Sequence, residues 1–343
     1  MASSSRVSVR TTAARGRCVV AASAIPAGRA VCVAPVYALA LSEARRGDVC
    51  ARCLASCAPA TNTCRCDSCG VTSYCSVECR ERHLAEGGVG SVAHCHVCPA
   101  LAAFASLAQY GAAQMAKPRL MLEVLARRAL AASHEEVQLA ERCRALACHP
   151  PRFSCDDEAE AWAECCAELC AAIERCSWCT WSKASRPSSG ELHALLSGID
   201  CNCFGCYLGE DVESCGEALC LSAADFNHSC APNCVVSPGV ETVEVTTTAE
   251  VEAGAELEIA YISCELPVVE RQEVLRTLYG FECACPRCVD ELRRRTKRRR
   301  ALARFGAVAT PLAIAYVCLR VPAIRASLIG GLGLEEWDGS ITF

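Results

Sequence analysis

The sequence predicts an α+β protein whose short strands carry a metal-held insertion, a helical insertion and a second cysteine-bearing segment farther on. Three observations lead there. β-Branched runs at Cys18–Ala22 and Val31–Val33 flank a Pro26-Ala27-Gly28 turn, the pattern of two short strands within residues 15–41. Residues 50–98 hold ten Cys, with His83, His94 and His96, and few aliphatics, so that segment cannot build a hydrophobic core of its own. From Leu101 to about Cys179 the apolar residues recur at helical spacing, as at Trp162, Cys166, Leu169 and Ile173. At 343 residues and 52% hydrophobic content the chain has material for one large domain or about two to three small ones.

The N-terminal segment is ambiguous in kind. Residues 1–42 carry five Arg and no acidic residue before Glu43, a composition that resembles an organelle transit peptide, yet strand-like sequence begins at Cys18. Met1–Ala14 lacks the continuous apolar run of a secretory signal. The best apolar stretch, Phe305–Leu319, is 15 residues long and contains Pro311, too short to span a bilayer. These features point to the nucleus and/or cytoplasm, with no membrane partner. In that reducing setting the 32 cysteines stay thiols unless they hold metal. Those in helix-like apolar stretches, such as Cys165, Cys166, Cys170 and Cys176, act as small buried hydrophobes.

Within the helical stretch, Ser133-His134-Glu135-Glu136 has capping-box form. The polar residues Ser182–Gly190 read as a loop leading into a strand-rich, acidic region. From Glu191 to Glu282 there are 17 acidic residues against Arg271 and Arg276 alone, which favours a basic partner or a solvated acidic face. Arg293–Arg300 follows with seven basic residues in eight, the composition of a nuclear localisation signal, a nucleic-acid patch or a solvated helix face.

The cysteine-rich segment is a series of zinc half-sites. Zinc takes four tetrahedral S or N ligands, and a short C-x2-C turn aims two thiolates at one point. The half-sites run Cys50/Cys53, Cys66/Cys69, Cys75/Cys79 and His94/Cys98, enough for two ions. His83 competes with His94, and Cys57, Cys64, Cys95 and His96 allow other pairings. His94 alone preserves the three-residue step to Cys98.

This order of half-sites, with Ser73-Tyr74-Cys75-Ser76, resembles the MYND zinc finger. The resemblance implies that Cys50, Cys53, Cys75 and Cys79 hold one ion and Cys66, Cys69, His94 and Cys98 the other. It also implies a protein-interaction surface for Pro-rich peptides. One departure is a Gly-rich insertion, Glu86–Ser91, which lengthens the gap from Cys79 to His94 to 14 residues.

A second constellation lies beyond the helices. Asn227-His228-Ser229-Cys230-Ala231-Pro232-Asn233-Cys234 resembles the NHSCxPN motif of SET domains. Gly254–Tyr261 resembles the strand that follows it and ends at the family's active-site tyrosine. Tyr279–Cys288 resembles the post-SET C-x-C-x2-C segment. All three stand in the family's order, and Arg15-Gly16-Arg17-Cys18 resembles its Gly-x-Gly turn against the cofactor with Cys18 in place of the second glycine. The whole resembles the SET and MYND domain-containing proteins over roughly residues 15–288. That likeness implies a SET-type β-clip with an inserted MYND finger, a helical insert and a zinc-binding post-SET segment. The expected boundaries are 15–49 and 191–265 for the SET parts, 50–98 for the finger and 99–190 for the helical insert and linker. Residues 266–290 are the post-SET segment, and 291–343 a basic run with a short tail, the C-terminal helical-repeat domain of many members being absent or vestigial.

Family roles then follow residue by residue. Tyr261 is the implied catalytic residue, positioning a lysine amine with its hydroxyl. Gly16, Arg17, Asn202, Asn227, His228 and Phe281 are the implied S-adenosylmethionine contacts. Phe204, Leu266 and Tyr279 line the implied substrate channel, Leu266 replacing an aromatic and so widening it. Cys230, Cys283, Cys285 and Cys288 are the implied ligands of a third zinc. The implied activity is methyl transfer to histone and/or non-histone lysines by a monomer. The competing reading is a catalytically weak or silent module, suggested by Cys18 and Leu266. A DNA-binding regulator is a third, opposed by the net charge of -5, which gives the chain as a whole no attraction for phosphate.

Overall fold

The computed structural model describes residues 6–13, 15–57, 63–104, 116–146, 156–180, 187–208 and 214–300. The apolar run Phe305–Leu319, the stretch 182–186 and the side chains of Trp162 and Cys165 lie outside them. The chain divides into two units, Met1–Cys283 and Ala284–Phe343, each taken here by itself.

In the first unit the strands form three small sheets and a two-stranded ribbon. The chain opens with β1 (Val7–Thr12) and β2 (Gly16–Ala21), paired antiparallel from Val7↔Ala21 to Thr12↔Gly16. Strand structure therefore starts well before Cys18. β1 is an edge strand whose last four residues are exposed, so its Arg and Thr are solvated and the segment does not read as core. Next come β3 (Ala30–Pro35) and β4 (Ala38–Leu41), the latter buried on both faces and hence without polar alternation. After the finger and the helices come β7 (Cys203–Cys206), β8 (Gly216–Leu219), β9 (Asn227–His228), β10 (Cys234–Pro238), β11 (Thr242–Thr247) and β12 (Glu256–Ile259). The sheets order as β1-β2-β12-β9, β10-β11-β3 and β4-β8-β7. β12 is the hinge of the topology. It pairs antiparallel with β2 and parallel with β9, so Asn227 and His228 sit opposite Glu258 and Ile259.

Two insertions interrupt these strands. The finger contributes β5 (Cys64–Arg65), β6 (Ser73–Tyr74) and α1 (Val77–Glu86). Its buried cluster is Cys50, Cys57, Cys66, Tyr74 and Cys98, with no aliphatic residue, as the composition of the segment foretells. The helical insertion follows as α2 (His94–Phe104), α3 (Ala116–Leu130), α4 (His134–Arg144), α5 (Asp156–Ile173) and α6 (Ser189–Asp200). The predicted capping box starts α4: Glu136 N–H donates to Ser133 Oγ at 3.2 Å, and Ser133 N–H to Glu136 at 2.9 Å.

A second capping box trims the predicted Ser182–Gly190 loop at its end: Ser189 and Gly190 already belong to α6, while 182–186 lie outside the described residues. Ser188 and Glu191 exchange the same pair of bonds, at 3.2 and 2.8 Å, and launch α6. Gly190 and the serines around it masked that helix start, since both residue types favour turns when read locally. Leu120, Met121, Leu122 and Val124 of α3 pack with Leu169, Ile173, Leu192 and Ile199, and with Ala38 and Leu219 of the β4-β8 pair. A separate strand core gathers Val19, Ile25, Leu39, Phe226, Val243, Val245, Leu257 and Ile259. Finally α7 (Val268–Tyr279) ends at Gly280, in the left-handed conformation at φ 76°.

In the second unit a helix, α8, spans residues 286–300. Among the described residues no helix is long and apolar enough to cross a membrane.

Candidate active site and metal centres

The finger brings its eight predicted ligands into two tetrads. Cys50, Cys53, Cys75 and Cys79 form one, Cys66, Cys69, His94 and Cys98 the other, each with its ligand atoms within 4.8 Å of one another. Cys53–Cys75 and Cys75–Cys79 are 3.6 Å apart and Cys79–Cys53 3.8 Å, sulfur to sulfur. A tetrahedron with Zn–S bonds of about 2.3 Å has edges of about 3.8 Å, so these spacings fit a zinc ion and are far too long for disulfides. In the second tetrad Cys66–Cys98 and Cys69 Sγ–His94 Nε2 are both 3.6 Å, which fits equally well.

Local geometry explains the convergence. Each C-x2-C turn closes by a backbone bond back to its first cysteine, Leu54 N–H to Cys50 O at 2.9 Å and Gly70 N–H to Cys66 O at 2.8 Å. The residue after each knuckle is left-handed, Leu54 at φ 59° and Gly70 at φ 66°. Cys75 and Cys79 flank the start of α1, where Ser76 caps by accepting from Cys79 N–H at 3.1 Å.

His83 is held elsewhere. Its Nδ1 meets Tyr74 OH at 3.1 Å and its Nε2 meets Ser91 Oγ at 2.9 Å, so both nitrogens are taken and the ring stacks on His94 at 5.4 Å. Burial pushes its pKa down to about 3. Cys57 stays outside both tetrads, and burial pushes its thiol up to about 11. The insertion between Cys79 and His94 docks the finger on the strands. Leu39 N–H donates to Gly90 O at 2.9 Å, and a Cβ on Gly90 would stand 2.7 Å from Leu39 and Val36.

Of the last predicted ligand set, Cys230 and Cys283 belong to the first unit and Cys285 and Cys288 to the second. In the first, Cys230 and Cys283 lie within 4.8 Å of one another, and in the second so do Cys285 and Cys288. Gln272, on α7, brackets Cys283 by donating to its carbonyl at 2.7 Å and accepting from its N–H at 2.8 Å.

The first unit holds a cavity of roughly 160 Å³ whose walls include Asn202, Phe204, Phe226, Ile259, Tyr261 and Tyr279. Leu266 is not in its lining; the residue is only half-buried, and its carbonyl accepts from Arg271 at 2.6 Å. Tyr261 is fixed three ways. Its OH donates to Phe226 O at 2.7 Å, its N–H donates to His228 Nδ1 at 3.0 Å, and its ring lies 5.0 Å from that of Tyr279. Burial raises the Tyr261 and Tyr279 pKa values above the ordinary phenol range, so both hydroxyls are neutral donors. Burial, then Arg15 and Arg271, push His228 down to about 4. Because its Nδ1 accepts from Tyr261, the neutral ring carries its proton on Nε2, which faces Cys230 Sγ at 3.2 Å.

Of the predicted cofactor contacts only Asn202 lines this cavity; Gly16, Arg17, Asn227, His228 and Phe281 are not in its lining. Gly16 has φ 67° and open space around its α-carbon, while Cys18 is 4% exposed inside β2. Asn227 donates to Arg17 O at 2.9 Å and to Glu256 at 2.8 Å. Arg15 pairs with Glu256 at 3.0 Å and donates to His228 O at 2.8 Å. Arg17 Nε lies 3.1 Å from Asp225 Oδ1, an ion pair without hydrogen-bond alignment, and Arg142 of α4 pairs with the other oxygen. Asn202 donates to Gly198 O at 2.6 Å, closing α6 beneath the cavity. Phe281 is 37% exposed, with its ring 6.1 Å from that of His228. Asn233 clasps β12 by donating to Glu256 O and accepting from Glu258 N–H, both at 2.8 Å. Sequence reasoning missed the supporting roles of Asp225, Arg142, Gln272 and Glu256. Only Asn233 carried a signal, as part of the Asn227–Cys234 motif.

Comparison with known proteins agrees with this geometry. The SET domain family model matches residues 16–262. A SET and MYND domain-containing protein of Dictyostelium discoideum is 35% identical over 95 residues, 28% of this chain and 24% of that protein. The mouse histone-lysine N-methyltransferase SMYD3 is 26% identical over 81% of this chain and 60% of its own length. The chicken N-lysine methyltransferase SMYD2 is 27% identical over 74% of this chain and 53% of its own length. The chain thus spans little more than half the length of the relatives it matches most fully. With the two finger tetrads, the Asn227–Cys234 motif and the family match together, the chain belongs to the SET-domain family, among its SET and MYND domain-containing members.

Proposed function

We propose that the chain is an S-adenosylmethionine-dependent protein-lysine N-methyltransferase acting on histone and/or non-histone lysines. The observation that carries the reading is the cavity in which the Tyr261 hydroxyl and the Phe226 carbonyl form a polar end between aromatic walls. When bound, S-adenosylmethionine supplies an electrophilic methyl group on a sulfonium. The chain offers fitting contacts: an open backbone at Gly16, the Asn227 and His228 segment, and a half-exposed Phe281 ring against which a purine can lie.

The residues of the chain then do the rest. A lysine amine has a reference pKa of about 10.4 and arrives protonated. Phe204, Tyr261 and Tyr279 exclude water around it, which favours the neutral amine, and the proton leaves to solvent. The neutral Tyr261 hydroxyl is a hydrogen-bond partner that aims the nitrogen, not a base. His228 fixes Tyr261 through its backbone N–H, so the tyrosine is held by the strand motif itself. In this reading Cys230, Cys283, Cys285 and Cys288 are the ligands of a third zinc, whose binding free energy adds to that of folding. The alternative reading, a catalytically weak or silent MYND-type module that recruits Pro-rich peptides, rests on Cys18 and Leu266 and predicts no methyl transfer in the assay below.

A peptide-array methylation assay with Tyr261→Phe as control tests the proposal. Methyl transfer to lysine is expected, falling by about a hundredfold in the variant, the usual cost of one lost active-site donor. Transfer unaffected by the substitution removes Tyr261 from the mechanism.

A further inference from the structure

The run of cations at the end of the described chain has no part in methyl transfer, and its structure departs from what net charge alone implies. Residues 293–300 continue α8 as helix, and every one is exposed. Seven of the eight are basic. Arg294 pairs with Asp290 at 2.8 Å, and among the described residues the remaining six, Arg293, Arg295, Lys297, Arg298, Arg299 and Arg300, form no ion pair. Each helical residue turns by about 100°, so these six point to all sides of the helix instead of forming one stripe.

That distribution selects among polyanions. A lipid surface binds a helix through an apolar face beneath its cations, and among the described residues none of 293–300 is apolar. An acidic protein face can engage only one side of a helix. A nucleic-acid duplex presents phosphates on both sides of a groove about 12 Å wide, which admits an α-helix of about 10–12 Å diameter. Eight helical residues cover about 12 Å, along which a duplex carries about seven phosphates. We propose that α8 is a nucleic-acid-binding helix that lies in a duplex groove and is held by backbone phosphates without reading sequence. The net charge of -5 does not oppose this locally, because the acidic residues concentrate in 191–282 and the cations in 293–300. The inference stands independently of the methyltransferase reading.

The test is fluorescence anisotropy of a labelled DNA duplex of about 20 base pairs with the full chain, over roughly 50 to 200 mM NaCl. Six phosphate contacts predict a slope of log affinity against log salt of about −5. Arg298→Ala/Arg299→Ala/Arg300→Ala, all exposed and outside the buried clusters, is expected to reduce the slope to about −3 and to weaken binding at the lowest salt at least about tenfold, with zinc content and helicity unchanged. No binding at the lowest salt overturns the proposal, as does a slope that survives the triple substitution. So does equal or tighter binding to phosphatidylserine vesicles or to polyglutamate under the same conditions.

Discussion

Asp225 is the residue whose loss is expected to damage the fold and the cavity together. Its side chain is 2% exposed and lies between Arg17 on β2 and Arg142 on α4, so one carboxylate joins the N-terminal strands, the helical insertion and the start of the Asn227 motif. Arg142 also donates to Leu221 O at 3.1 Å and to Ser222 Oγ at 3.4 Å, which adds a second stitch to the same segment. Breaking a fully buried pair by removing one partner costs about 3–5 kcal/mol. The two guanidiniums are 26% and 34% exposed, so water compensates part of that loss, and Asp225→Ala is expected to cost about 2–3 kcal/mol. At about 2–4 °C per kcal/mol for a domain of this size, the melting temperature falls by about 5–10 °C. Thermal scans at matched zinc content measure it, and a double-mutant cycle with Arg142→Ala should return a coupling of at least about 0.5 kcal/mol. A shift under about 2 °C, or strict additivity with Arg142→Ala, refutes the reasoning.

Other expectations follow from single contacts. Gly90→Ala puts a methyl 2.7 Å from Leu39 and Val36 at a residue of φ 62°, and should cost about 2–4 kcal/mol by overpacking and left-handed strain, read from the urea midpoint. Because the finger has no aliphatic cluster, a zinc chelator should expose residues 50–98 to protease while α3 and the strand core stay protected; uniform protection with zinc removed contradicts the zinc fit. Glu123 is half-buried, and desolvation pushes its carboxyl from 4.5 up to about 7, with Val92 N–H and Arg127 opposing. Its folded pKa is above its unfolded one, so the folded state holds the proton more tightly. The contribution of this group is therefore full below about pH 4.5, declines up to about pH 7 and is lost above, so the difference in urea midpoint between the chain and Glu123→Gln should change across that range. A difference that stays constant across that range contradicts the assignment.

The metal ligands of the finger were legible because zinc chemistry writes itself in short spacings, and only the choice between His83 and His94 needed coordinates. Tyr74 and Ser91 decide it by occupying both nitrogens of His83. Tyr261, Asn227 and His228 were legible as motif members, but what holds them was not. Arg17–Asp225–Arg142, Arg15–Glu256 and Gln272–Cys283 join residues from separate elements, and no local pattern announces a carboxylate that two distant guanidiniums will share. β1 escaped notice because an exposed edge strand carries Arg and Thr where a core strand carries aliphatics.

Titration of labelled S-adenosylmethionine onto the purified full chain tests the central claim most directly. The account predicts saturable binding of one cofactor per chain, weakened by Asn227→Ala, whose amide spans Arg17 and Glu256. Absence of saturable binding to zinc-replete protein contradicts it.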